Sequence, residues 1–187
     1  MKTGQNLYKK AKKLIPGGNQ LLSKRPEMFL PDRWPSYYKK SQGIKIWDLK
    51  NKCYEDFSIM SIGQCSLGYS NSEVNNSVKK AIDLGSTSTL NSEEEVKLAD
   101  RLIKIHKGME MVRFGKTGGE ACAIAVRVAR AATGRSKIIA SGYFGWHDWY
   151  LASNLKDKKS LDNLLLPGLD TAGVPKELKG TTLALRY

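Results

Sequence analysis

The chain has 187 residues, 41% of them hydrophobic and 26% charged, an ordinary water-soluble composition with enough length for one real core. No apolar run approaches the roughly twenty residues of a membrane span, and the first seven residues lack a signal peptide's apolar region, so neither a membrane partner nor export is expected. Two histidines and three irregularly spaced cysteines argue against a metal site and fit reduced thiols in a cytoplasmic protein.

The formal net charge of +13 is the odd total, and it raises nucleic-acid binding as an alternative, because lysine and arginine displace the counterions of phosphates. The lysines are nevertheless dispersed: Lys9, Lys10, Lys12 and Lys13, then Lys39 and Lys40, Lys79 and Lys80, and Lys156, Lys158 and Lys159. No aromatic-and-basic motif organises them. A solvated basic surface without a nucleic-acid partner is the expectation.

Residues 6–15 read as a short amphipathic helix, with Leu7, Ala11, Leu14 and Ile15 on one side, stopped by Pro16-Gly17-Gly18. Residues 17–36 are loop-like, because Pro26, Pro31 and Pro35 favour extended backbone. A hairpin follows over 43–57, turning at Lys50-Asn51-Lys52, and 58–69 reads as irregular chain threading past a pocket. Asn71 or Ser72 caps a helix over 73–84 that buries Val74, Val78, Ala81 and Ile82. Asn91 or Ser92 caps the next, with Glu93, Glu94 and Glu95 facing its dipole, Val96, Leu98, Leu102 and Ile105 inward, and His106 as a helix-end charge.

Residues 111–114 form an expected short strand that stops at Gly115 and turns through Lys116-Thr117-Gly118-Gly119 into a helix over 120–133. Gly134 ends that helix, and 137–140 is the next strand. Strand, glycine turn, helix and strand make a βαβ unit, which closes right-handed into a parallel sheet and binds ligands beyond the strands' carboxyl ends. The turn suits an anion. Adjacent glycines let backbone approach closely, and the first N–H groups of the helix point at the same space, with the Thr117 hydroxyl and the Lys116 charge nearby. The second turn, from Ser141 to Trp149, sets Tyr143, Phe144, Trp146, His147 and Trp149 beside it, a pairing that fits a planar ring carrying a phosphate.

These motifs, Phe114-Gly115-Lys116-Thr117-Gly118-Gly119-Glu120-Ala121, Ala132-Thr133-Gly134-Arg135 and Gly142-Tyr143-Phe144-Gly145-Trp146-His147-Asp148, resemble the class III aminotransferases. The likeness is strongest to glutamate-1-semialdehyde aminomutase and its relatives. Leu14 to Gly18, Ile46-Trp47-Asp48 and Tyr54-Glu55-Asp56 resemble that family's opening, so the likeness covers nearly the whole chain. It implies an α/β chain of fold type I: an incomplete large domain over 58–187, with a parallel-type sheet and flanking helices, and a small helix-and-hairpin segment over 1–57. It implies pyridoxal 5′-phosphate as cofactor, with Thr117, Gly118 and Gly119 holding its phosphate and Tyr143 stacked on its ring. It also implies a small-molecule amino donor and acceptor, such as an amino acid or amino-aldehyde, and a homodimer.

Phe144 stands where that family commonly has a histidine, so any polar role there is lost or moved. Ser23, Lys24 or Arg25, placed just after the Pro-Gly-Gly, are positional candidates for a substrate carboxylate, with surface charge as the alternative. Glu120 is either a functional carboxylate or a first-turn acid that stabilises its helix. The lysine that bonds the cofactor and the aspartate that pairs with its ring nitrogen lie, in the family, beyond Tyr187. No residue here is expected to be catalytic. A non-catalytic remnant, or a basic binding module reusing the fold, is the alternative from another class.

Overall fold

The computed structural model describes residues 3–58, 60–162, 164 and 166–185, in two compact units, Met1–Asn91 and Ser92–Tyr187. The boundary expected at 57/58 falls inside the first unit.

In the first unit, Thr3 caps α1 (Gly4–Leu14) by accepting from Asn6 N at 3.1 Å. Tyr8 and Ala11 are its buried face, whereas Leu14 is 69% exposed. Tyr8 donates its hydroxyl to Glu27 at 2.8 Å, which ties the helix to the loop after the Pro-Gly-Gly. Three strands follow, β1 (Tyr38–Gln42), β2 (Lys45–Asp48) and β3 (Cys53–Glu55), antiparallel in the order β1-β2-β3. The hairpin of β2 and β3 is the expected one; β1 is an additional strand, whose polar sequence carries no period-two apolar signal. The β2–β3 turn is organised by Asp48, whose Oδ1 accepts from Lys50 N (2.8 Å) and Lys52 N (2.9 Å). Tyr69 returns to Gly43 through two backbone bonds of 2.8 and 2.9 Å, and its hydroxyl donates to Asp56. Burial pushes the Asp56 carboxyl up, but hydrogen bonds from Ser58 and Tyr69 outweigh it and hold the group below the usual carboxylate range. Asn71 caps α2 (Ser72–Asp83).

In the second unit, Ser92 caps α3 (Glu93–Ile105), and α4 (Gly118–Thr133) ends on Gly134, which takes φ +66° as its left-handed cap. The strand β4 (Ile138–Ala140) pairs in parallel with β5 (Thr182–Ala184), in register Ile138↔Thr182 to Ala140↔Ala184. The crossover between them contains α5 (Asp148–Leu151) and is the packed part of the unit. Ala140, Tyr150 and Leu161 form its core, with Phe144, Trp149, Leu151, Leu164, Leu169 and Ala184 against them. Asn154, itself buried, closes the layer by donating to Leu169 O (2.9 Å) and accepting from Leu161 N (3.0 Å).

Two expectations are corrected. Residues 111–114 form no strand: the segment has no ladder partner among the described residues, and Met111 is 89% exposed. The parallel partner of β4 is β5, so the βαβ unit is built forward along the chain, not back to 111–114. The faces of α2 and α3 are also not buried. Val74, Val78 and Ile82 are 46–60% exposed, and Val96, Leu98 and Ile105 are 50–72% exposed. An apolar stripe fixes which way a helix will face, but a second surface is required to bury it.

Candidate functional site

The sequence Thr117-Gly118-Gly119-Glu120 forms a complete capping box. Thr117 Oγ1 accepts from Glu120 N (3.1 Å), and Glu120 Oε2 accepts from Thr117 N (3.0 Å) and Lys116 N (2.8 Å). Glu120 is therefore the helix-stabilising acid of the two readings. Its carboxylate is engaged with the backbone of its own turn.

The box consumes the N–H groups on either side of the glycines and leaves the glycines themselves. Gly118 N and Gly119 N have no partner among the described residues, and Ala121 N already donates to Thr117 O at 3.0 Å. Thr117 Oγ1 is used as an acceptor, so its O–H remains available to donate. Two amides and one hydroxyl thus converge at the positive end of a sixteen-residue helix. A Cβ on Gly118 would meet nothing within 4 Å, so this edge of the turn is open to a ligand.

The turn after β4 lies against this one. Gly142 and Gly145 take φ +128° and +103°, which only glycine adopts without strain. A Cβ on Gly145 would stand 3.2 Å from Gly119 Cα, and a Cβ on Gly119 would stand 2.6 Å from His147 Cε1 and 2.8 Å from Nδ1. The two turns therefore meet backbone to backbone, because neither glycine carries a side chain to hold them apart. His147 Nδ1 is buried and has no hydrogen-bond partner among the described residues, and Trp146 stacks on the imidazole with ring centroids 5.0 Å apart and an interplanar angle of 22°.

Tyr143 is 36% exposed and stands edge-on to Tyr150, at 6.0 Å and 88°. Tyr150 is 1% exposed and donates its hydroxyl to Gly142 O at 2.7 Å, so a core residue fixes the backbone next to Tyr143. Burial, and secondarily the neighbouring Tyr143, push the Tyr150 phenol up to about 12. Phe144 turns inward onto Trp149 and Tyr150, at 6.2 and 6.1 Å, and belongs to the core. Its apolar character is explained by that packing.

An open cavity of about 680 Å³ flanks α4, lined by Phe114, Ile124 and Val128 with Arg113, Lys116 and Arg127. Gly115, Glu120 and His147 also line it, so the cavity adjoins the glycine turn, although Thr117, Gly118, Gly119 and Tyr143 are not among its lining residues.

In the first unit, two of the three positional candidates make structural contacts. Arg25 packs over Gly17, where a Cβ would stand 2.3 Å from its Nη2, and Lys24 donates to Ser61 Oγ at 3.4 Å. Ser23 Oγ and Arg25 Nε are buried without hydrogen-bond partners among the described residues. The sequence set His147 beside the glycine turn with the rings of the second turn, but did not single out a contact with Gly119.

Comparison with known proteins gives one consistent match. The family model for aminotransferase class-III matches residues 31–178. A 3-aminobutyryl-CoA aminotransferase of Cloacimonas acidaminovorans is 35% identical over 77% of this chain and 34% of its own length. A glutamate-1-semialdehyde 2,1-aminomutase of Polaromonas sp. is 38% identical over 97% of this chain and 40% of its own length. The FumI protein of Sphingopyxis sp. MTA144, solved in a PLP form, superposes with a TM-score of 0.79 at 26% identity, over 98% of this chain and 40% of that one. The chain thus spans 34–40% of the length of these relatives.

Proposed function

Because the chain belongs to the class III aminotransferases, a pyridoxal-phosphate-dependent family of fold type I, we propose that it is the amino-terminal part of an enzyme that moves an amino group between small molecules. The donor class is an amino acid or amino-aldehyde of the glutamate-1-semialdehyde kind, and the acceptor an oxo compound. Residues 1–57 are read as the small opening segment and 58–187 as part of the large domain. The unpaired apolar faces of α2 and α3 are consistent with a homodimer, and the three free cysteines with a cytoplasmic setting.

One observation carries the reading: Gly118 and Gly119 hold out the two unpaired amides of a capped helix, directly against a turn that presents a half-exposed tyrosine. These residues fit the group. Gly118 N, Gly119 N and the Thr117 hydroxyl would hold the phosphate, and Tyr143 would lie on the ring. Lys116 adds positive charge beside the same turn. When bound, pyridoxal 5′-phosphate supplies an electron sink for the charge left by removal of a substrate proton. This chain's residues supply the seat. The capping box keeps competing N–H groups occupied, and Tyr150 fixes the backbone beside Tyr143.

Equilibrium titration with pyridoxal 5′-phosphate tests the seat. Tyr143→Ala and Thr117→Ala are expected to weaken binding about 5- to 30-fold each, the worth of one ring contact or one charge-assisted hydrogen bond. Unchanged binding in both variants would remove the assignment. Borohydride reduction of the loaded 187-residue chain is expected to leave no product specific to one lysine.

A further inference from the structure

We propose that His147 is a positioning residue that locks the Ser141–Trp149 turn onto the amino end of α4, and that its partner in the lock is the absent side chain of Gly119. The space a Cβ at 119 would need is occupied by the imidazole, 2.6 Å away at Cε1 and 2.8 Å at Nδ1, closer than real Cβ contacts. Among the described residues Nδ1 has no hydrogen-bond partner, and the ring is held by packing: Gly119 on one side and the stacked Trp146 beside it. Gly145 completes the contact, since its own missing Cβ would stand 3.2 Å from Gly119 Cα.

The lock reaches the tyrosine through the backbone. The His147 carbonyl accepts from Tyr150 N (2.9 Å) and Leu151 N (3.1 Å), which starts α5. Tyr150 in turn enters the core and holds Gly142 O at 2.7 Å, one residue before Tyr143. A side chain at 119 therefore displaces His147, and the displacement runs through α5 to the residue proposed to carry the ring. Positions 119 and 147 share one volume, and only one of them can fill it.

The test is a double-mutant cycle of Gly119→Ala and His147→Ala in the 187-residue chain. Two readouts are used: the Trp146 contribution to intrinsic fluorescence, isolated with Trp146→Phe, and the dissociation constant of pyridoxal 5′-phosphate. Gly119→Ala should alter the Trp146 emission and weaken binding about tenfold or more. Adding His147→Ala should return binding to within about threefold of the His147→Ala single variant, because the second change vacates the volume the first one needs. Gly118→Ala, where a Cβ meets nothing, should leave the Trp146 emission unaltered. An additive cycle, or a Gly119→Ala chain with unchanged emission and binding, overturns the proposal. Should Gly119→Ala fail to fold, recovery of its far-UV circular dichroism in the double variant supports the lock, and continued failure overturns it. The binding arm rests on the functional reading above and the fluorescence arm does not. A parent chain that ignores pyridoxal 5′-phosphate therefore defeats that reading while the emission cycle still decides the lock.

Discussion

The crossover between β4 and β5 and the helices α2 and α3 start from similar sequence information and reach opposite ends. Both carry apolar residues, and it is α2 and α3 that have the capping side chains, Asn71 and Ser92, while α5 has none. In the crossover, Tyr150 and Leu161 are 1% and 0% exposed, while on α2 and α3 Val78 and Val96 are 51% and 72% exposed. The difference is not in the helices. The crossover finds its second surface on β4 and β5 of its own chain, whereas neither α2 nor α3 has a buried residue. Periodicity specifies a face, and burial is a property of two faces.

Three measurements test this contrast. The largest effect is expected at Leu161→Ala, which empties a fully buried position and should cost about 2–5 kcal/mol in denaturant unfolding of the second unit. A loss under about 0.5 kcal/mol would mean that the crossover is no better packed than α2. Next comes alkaline stability. The Tyr150 phenol is raised in the folded chain to about 12, so its contribution is complete below the unfolded tyrosine value near 10 and is lost as pH rises through the folded value. Melting temperatures should fall between about pH 10 and 12, and Tyr150→Phe should flatten that limb even though it removes the bond to Gly142. The smallest effect is expected at Val78→Ser on α2. With half of the valine already in water, the change should stay within about 0.5 kcal/mol in the 187-residue chain. A large loss there would reveal a covering surface, such as a second copy.

The candidate site divides along the same line. The glycine turn was legible because its signals are local. A cap residue, a glycine pair and an acid three residues after the cap are a matter of backbone hydrogen-bond geometry within one turn, and the capping box forms as those letters require. Tyr143 was legible as an aromatic at a strand end. Phe144 was read as a lost polar group, and the structure shows it as core, because its direction is set by Trp149 and Tyr150, not by its neighbours in sequence. His147 was legible as a neighbour of the glycine turn, but its contact with Gly119 was not. Nearly thirty residues separate them, and whether they touch depends on how the chain after β4 turns back over α4.

Sequence alone was enough for α1 to α4, the caps of α2, α3 and α4, the β2–β3 hairpin, the strand at 138–140 and the family, since each rests on short-range hydrogen bonding or on motifs in a fixed order. Only the tertiary structure decided that 111–114 stays without a ladder, that β4 pairs with β5, and that two glycines and an imidazole share the volume where the turns meet. Those outcomes require two surfaces to arrive at one place, and excluded volume between distant residues is written in no single stretch of the chain.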